Sequence, residues 1–366
     1  MMGEMIFRNL LHRPIRTIIG ILAIGVEVAL VVLVVGLTSG ILTETAKRVE
    51  GIGADIMLQS PSAQVFLAFS GSPMPIKIAD RLRELKYVQA VSPVFLQFSS
   101  SGGIDLVYGI DRDSFNAVSG GFVFLSGKDM DGPDDLLVDD LAAQAKHIKV
   151  GDTFNLLNHD WHVAGIVEHG KGARLFVPLL TLQDLGGAHD KASVFLLKCT
   201  RPEHTEDVIN QMQPLLPNYK IHALKDYLSL MTSTNVPGLN VFVNAMIALA
   251  VCIGLLVIFL TMYTTVVERT RDIGVLKSLG ATSPFIVRAI LMESVALCFG
   301  GIAAGVGLSY AVRAGFVKAF PTLSILITPE WVLRAGIIAM IGAVLGASYP
   351  AWMASRRDAV EALTFD

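Results

Sequence analysis

Four long apolar runs divide this chain. The first, Ile18 to Leu37, holds one charged side chain, Glu27. After a long mixed interval come Leu239 to Val266, Ala289 to Val312 and Trp331 to Met353. A helix needs about 20 apolar residues to cross the hydrocarbon of a bilayer, so each run predicts a transmembrane helix. A cleaved signal peptide is the rival for the first run, but its apolar core is shorter, roughly 7–15 residues. The reading favoured here is an uncleaved span. Thr232-Ser233-Thr234-Asn235-Val236-Pro237-Gly238 reads as the hinge into the second span, and Phe316 to Glu330 as a short loop before the fourth. Glycines and alanines crowd the third and fourth spans, which favours close helix packing. Trp331 and Trp352 stand like interfacial anchors.

Between Ile41 and Pro237 no run is long or apolar enough to span, and the pattern alternates between strand and helix periods. Ile78, Leu82 and Leu85 mark a short amphipathic helix, and Val88, Val91 and Val94 begin an extended stretch. Leu106 to Asp111 reads as a strand ending in a turn, and Leu137 to Lys146 as a strand followed by a short helix. Val150 to Phe154 turns into a strand that pairs with Trp161 to Val167, and further strands are expected at Arg174 to Pro178 and Ala192 to Lys198. Thr205 is placed to cap a helix burying Val208, Ile209, Met212, Leu215 and Leu216. The fold class expected is an α-helical membrane protein with four transmembrane helices and an α+β domain inserted between helices 1 and 2. Its parts are residues 1–40, 41–237 and 238–366.

One charged stretch interrupts the apolar C-terminal part. Val266 to Thr282 holds Glu268, Arg269, Arg271, Asp272 and Lys277 between two spans. A charge at the centre of a bilayer costs at least about 2.5–3.5 kcal/mol, so this stretch belongs in water. Ile273, Leu276 and Leu279 keep a helical spacing, and Gly280 is a stop signal. A short amphipathic helix results, with one face free for a partner.

Charge decides the orientation. The chain is 52% hydrophobic and 17% charged, against about 25% charged in an ordinary soluble domain. Residues 41–237 carry 17 Lys and Arg against 23 Asp and Glu, and the remainder 12 against 9, so neither part suits nucleic acid. Of the 12 cations outside the inserted domain, nine fall on one side of the spans: Arg8, Arg13, Arg16, Arg269, Arg271, Lys277, Arg288, Arg356 and Arg357. Only Arg313, Lys318 and Arg334 fall on the other. The positive-inside rule then puts both termini in the cytoplasm and the large domain outside. Cys199, Cys252 and Cys298 are too few for a disulfide framework and read as small hydrophobes.

The stretch Glu268-Arg269-Thr270-Arg271-Asp272-Ile273-Gly274-Val275-Leu276-Lys277-Ser278-Leu279-Gly280-Ala281-Thr282 resembles the cytoplasmic coupling segment of FtsX/MacB-type ABC transporter permeases. Asp272 and Ser278 stand where Glu and Ala are commoner. Met292-Glu293-Ser294 with Phe299-Gly300-Gly301 and Gly305 resembles that family's third span. Tyr349-Pro350-Ala351 through Arg356-Arg357 to Ala359-Val360-Glu361-Ala362-Leu363 resembles its C-terminal end. Leu141 to Thr153, Val163 to Val167 and Phe176 to Leu179 resemble the MacB-type outer domain more loosely, in the same order.

The resemblance implies a permease subunit of the bacterial inner membrane. It implies a dimer with a second permease copy and docking of a separate ABC ATPase on a coupling segment at residues 267–285. Glu268, Arg269, Arg271, Asp272, Ile273, Gly274, Lys277 and Gly280 are carried over as ATPase-coupling residues. ATP and Mg would be used by the partner, and no cofactor is expected on this chain. A membrane-fusion or adaptor protein and membrane lipid are further expected partners. The work done would be export or extraction of a lipid, lipoprotein, peptide, haem or drug. The alternative is an FtsX-like mechanotransmitter that activates a cell-wall hydrolase, and the large MacB-like outer domain favours transport.

Other chemistry is thin. These residues contain no G-x-x-x-x-G-K-[ST] phosphate loop, so ATP hydrolysis is assigned to a separate subunit. No nucleophile–base motif is legible, so an enzyme is not expected. Glu27 is the candidate for an intramembrane cavity, with Gly20 and Ala23 on its helix face; the other reading is a protonated acid that bonds a neighbouring helix. His159, Asp160, His162, Glu168 and His169 invite a metal reading. Strand alternation separates His169 from His162 and Glu168, with His159 and Asp160 in the preceding turn, so no metal site is expected. The run Asp129-Met130-Asp131-Gly132-Pro133-Asp134-Asp135 lacks EF-hand spacing and reads as a solvated loop. Glu293 reads as structural, tolerated near the end of its span by hydration.

Overall fold

The computed structural model describes residues 14–63, 71–99, 105–230 and 238–356. Arg8, Arg13, the hinge at 232–237, Arg357 and the block 359–363 lie outside the described residues. The chain divides into two compact units. One comprises residues 1–39, 238–316 and 325–366; the other comprises 40–237 with 317–324.

The elements run in order as α1 (Pro14–Glu50), β1 (Ile56–Gln59), β2 (Met74–Pro75), α2 (Ile78–Arg83), β3 (Val88–Ser99), β4 (Asp105–Ile110), α3 (Arg112–Ser119), β5 (Phe124–Gly127) and β6 (Asp135–Asp139). There follow α4 (Asp140–Lys146), β7 (Thr153–Leu156), β8 (His159–Val167), β9 (Leu175–Pro178), α5 (Leu179–Leu185), β10 (Lys191–Ala192) and β11 (Val194–Cys199). Then come α6 (Thr205–Leu215), β12 (Lys220–Ala223), α7 (Leu224–Leu230), α8 (Leu239–Glu268), α9 (Thr270–Ser278), α10 (Ser283–Ala319) and α11 (Pro329–Arg356).

In the first unit, α1, α8, α10 and α11 are the four helices long and apolar enough to cross a membrane among the described residues. They extend beyond the apolar runs that predict them, because polar turns outside hydrocarbon still close helical hydrogen bonds. One buried cluster joins Ile24, Val28 and Val32 of α1, Ile258 and Met262 of α8, and Ala339, Ala343, Ala347 and Ala351 of α11. Small residues admit close approach: a Cβ on Gly301 would lie 2.5 Å from Ile24 side-chain atoms, and one on Gly305 would lie 2.5 Å from the Gly25 carbonyl oxygen. This is the packing that association in lipid requires, where burial of apolar surface gives no drive.

The second unit is a mixed sheet in the order β12-β1-β11-β3-β4-β9-β6-β8-β5, with β7 beside β8. The β4–β9 and β6–β8 pairs are parallel and the other pairs antiparallel. Buried Trp161, Phe176, Phe115 and Phe195 fill its interior. Trp161 keeps its indole N–H satisfied by donating to the Leu156 carbonyl at 3.0 Å, as a buried indole must.

Local expectations change in two places. Leu157 and Asn158 carry positive φ and form a two-residue hairpin turn, so His159 and Asp160 lie in β8 rather than in the turn before it. Thr205 is the first residue of α6, not its cap, because its own backbone is already helical at φ −57° and ψ −46°; its hydroxyl donates back to the Pro202 carbonyl at 2.7 Å. Val208, Ile209 and Met212 are buried on that helix, but Leu215 is exposed.

Candidate functional site

The charged stretch between α8 and α10 folds as a separate short helix. Helix α8 ends at Glu268, and Arg269 bends the backbone to φ −103° and ψ 15° before α9 begins. The Thr270 hydroxyl donates to the carbonyls of Val266 and Val267 at 3.1 and 2.8 Å. Such back-bonding competes with the helix ladder and marks a bend. At the other end Gly280 takes φ 95°, a left-handed position that a side chain would strain. Its N–H bonds the Lys277 carbonyl at 2.9 Å, and the Ala281 N–H bonds the Leu276 carbonyl at 3.0 Å. That pair of bonds is a Schellman stop.

The side chains of α9 sort into two sets. Ile273 and Gly274 face inward, and Ile273 joins the buried cluster of α8, α10 and α11 with 8% exposure. Arg269 Nη1 lies 3.3 Å from Glu293 Oε2 on α10, with Glu293 nearly fully buried. Glu293 is therefore held by a cation rather than by hydration. Lys277 Nζ donates to the Ser355 carbonyl at 2.7 Å, and the Ser283 hydroxyl reaches the same oxygen at 3.1 Å. Ser355 is in the last turn of α11, where carbonyls lack helical partners. Exposed on α9 and its flanks are Glu268, Arg271, Asp272, Val275, Ser278, Leu279 and Gly280.

This changes the roles expected within the stretch. Ile273, Gly274, Arg269 and Lys277 fix the helix to its own chain, so Ile273 is not the apolar group available to a partner. Val275 and Leu279 are, and Leu279 is 79% exposed. The Arg269–Glu293 and Lys277–Ser355 contacts span 24 and 78 residues, which no local pattern signals.

Glu27 is 5% exposed, and its Oε2 is buried with no hydrogen-bond partner. It packs on Gly254 of α8, where an added Cβ would lie 1.7 Å from that oxygen. The structure thus encloses the carboxyl in a slot shaped by a glycine. No bond from Oε2 to a neighbouring helix is present at this position.

The other candidates resolve into local pairs. His159 Nε2 lies 2.8 Å from Asp134 Oδ1, and His169 Nδ1 lies 3.0 Å from Asp140 Oδ1. In the acidic loop, Arg112 pairs with Asp129 at 2.9 Å and Asp131 at 3.3 Å, while Asp135 accepts from the N–H groups of Asp131 and Gly132. No group of three or more candidate ligands converges among the described residues.

Comparison with known proteins covers both units. The family model of the MacB-like periplasmic core domain matches residues 17–215, and that of the FtsX-like permease C-terminal region matches residues 244–359. A macrolide export ATP-binding/permease protein MacB from Shewanella sp. (strain W3-18-1) is 23% identical over 96% of this chain and 58% of its own length. The uncharacterized ABC transporter permease YknZ of Bacillus subtilis is 31% identical over 35% of this chain and 32% of its own. This chain spans little more than half the length of the MacB relatives it matches end to end. The crystal structure of the periplasmic region of MacB from Actinobacillus actinomycetemcomitans aligns with 49% of this chain and 92% of that one, at 16% identity and a TM-score of 0.39.

Proposed function

This chain belongs to the FtsX/MacB-type permease family, and on that premise we propose that it is the permease subunit of an ABC transporter. Its work is to pass motion driven by ATP hydrolysis on a separate ATPase subunit to the domain outside the membrane. That motion exports or extracts a hydrophobic or amphipathic substrate. Two copies of the permease assemble with two ATPase subunits, and both termini lie in the cytoplasm.

The observation that carries this reading is helix α9. It stands between two spanning helices, is pinned by Arg269–Glu293 and Lys277–Ser355, and turns Arg271, Asp272, Val275 and Leu279 outward. Apolar groups at the centre of such a patch fill a partner's groove, and charges around it set the register. A pinned helix passes on displacement; a loose loop absorbs it.

The test is assembly with an ABC ATPase that co-purifies with the wild-type chain. Val275→Asp with Leu279→Asp abolishes co-purification and ATP-driven output while the permease keeps its thermal stability. Retained assembly and output in that variant sinks the reading. An adjacent cell-wall hydrolase that gains activity with ATP, with no substrate moved, selects the mechanotransmitter alternative.

A further inference from the structure

The unit that contains the sheet includes two pieces of chain contiguous with the apolar unit: the end of α1 from residue 40, and residues 317–324 between α10 and α11. One side chain holds both. Arg174 Nη1 lies 2.9 Å from Asp139 Oδ2 at the end of β6. Its Nη2 donates to the Thr322 carbonyl at 3.1 Å and lies 3.7 Å from Glu44 Oε1 on α1. Its own carbonyl accepts from the Asp139 N–H at 2.8 Å. The Asp139 and Arg174 side chains are 1% and 11% exposed.

The surroundings are equally close. A Cβ on Gly40 would lie 1.9 Å from the Ser324 carbonyl oxygen, and one on Gly51 would lie 2.0 Å from that of Gly170. Arg48 of α1 donates to the Gly172 carbonyl at 3.3 Å. Burial pushes the Asp139 carboxyl up from its ordinary value, against Arg174 and the Ala142 N–H, which favour its charged form. A guanidinium is planar with five donors, so it can hold a carboxylate on one edge and a carbonyl on another; an ammonium cannot reproduce that fork.

We infer that Arg174 is a positioning residue that clasps the end of α1 and the 317–324 segment to the sheet, so that displacement of either is delivered to β6 and β9. The transmission route then includes the connection between the third and fourth spans. This rests on the reading above that the outer domain is moved by the membrane helices.

Hydrogen exchange on the full-length protein in lipid nanodiscs tests the clasp without any ATPase. Arg174→Gln alone strands a buried carboxylate, so it is paired with Asp139→Asn to keep the interior neutral. The paired variant is expected to raise exchange about tenfold in both 320–326 and 48–53, with β6 and β9 unchanged. Arg174→Lys, which keeps the charge toward Asp139, raises exchange in 320–326. In the complex with the ATPase, the paired variant keeps ATP hydrolysis and loses output per ATP several-fold. Exchange altered only around residues 139–146, or full output per ATP, overturns the clasp. Failure of the permease reading shows instead as no ATPase bound by wild-type protein, whatever the exchange result.

Discussion

Arg269 and Glu293 offer the sharpest energetic test. Their charged atoms are 3.3 Å apart, and their side chains are 17% and 6% exposed. At an effective dielectric near 20, the direct attraction is about 5 kcal/mol before desolvation is subtracted. Removing one partner leaves the other buried and uncompensated, which typically costs about 3–5 kcal/mol. Arg269→Gln is expected to cost about 3 kcal/mol or more. Glu293→Gln strands a guanidinium and is expected to cost at least as much. The double variant removes both charges and is expected to cost at least about 2 kcal/mol less than the two singles added together. The assay is reversible unfolding of the full-length protein in bicelles, read for wild type, both singles and the double. Additive costs within about 0.5 kcal/mol would refute the pair. The result also bears on docking assays. A charge reversal at Arg269 damages the permease's own packing, so loss of ATPase binding in Arg269→Glu says nothing about a direct contact.

Three further outcomes follow from the geometry. Gly254→Ala forces the Glu27 carboxyl out of its slot and costs about 1–3 kcal/mol; Glu27→Ala in the same chain restores room, so equal costs of Gly254→Ala with and without Glu27 would disprove the fit. In a background lacking Cys199, Cys252 and Cys298, a cysteine at Asp134 is labelled by an impermeant reagent on intact cells and one at Ser278 is not; the reverse pattern inverts the topology. Burial, with Lys220 nearby, holds His222 below the ordinary imidazole value. The unfolded chain therefore takes up its proton first as pH falls, and stability drops from about pH 6.5 downward. His222→Gln should lose less stability than wild type between pH 7 and 5.5 in thermal unfolding, and an equal loss removes His222 from the account.

Much of the architecture is legible because lipid imposes long apolar runs, and a short helix between two of them is legible from five charges that cannot lie in hydrocarbon. Part of the strand and helix order of the inserted domain, such as β3, β4, β7 and β8, follows from alternation and from turn residues such as Gly151 and Asp152, whereas β1, α3, β5 and β12 stay outside that reading. What stays hidden is pairing across sequence distance. Nothing local tells that Arg269 faces Glu293, that Lys277 reaches the end of α11, or that Arg174 gathers residues 44, 139 and 322. Burial on α9 is hidden for the same reason: Ile273 and Leu279 look alike in sequence, and only the packing of α8, α10 and α11 separates the buried one from the free one. The Glu27 slot depends on a glycine 227 positions away.

The central claim is that the outward face of α9 meets an ABC ATPase, and a photocrosslinking amino acid in living cells reads it directly. Placed at Leu279, it is expected to trap a chain carrying a G-x-x-x-x-G-K-[ST] phosphate loop, identified by mass spectrometry. Placed at Ile273, which packs inside the permease, it is expected to trap only the permease itself. An ATPase trapped from Leu279 but not from Ile273 is the predicted result. No ATPase from Leu279, or as much from Ile273 as from Leu279, would contradict the account.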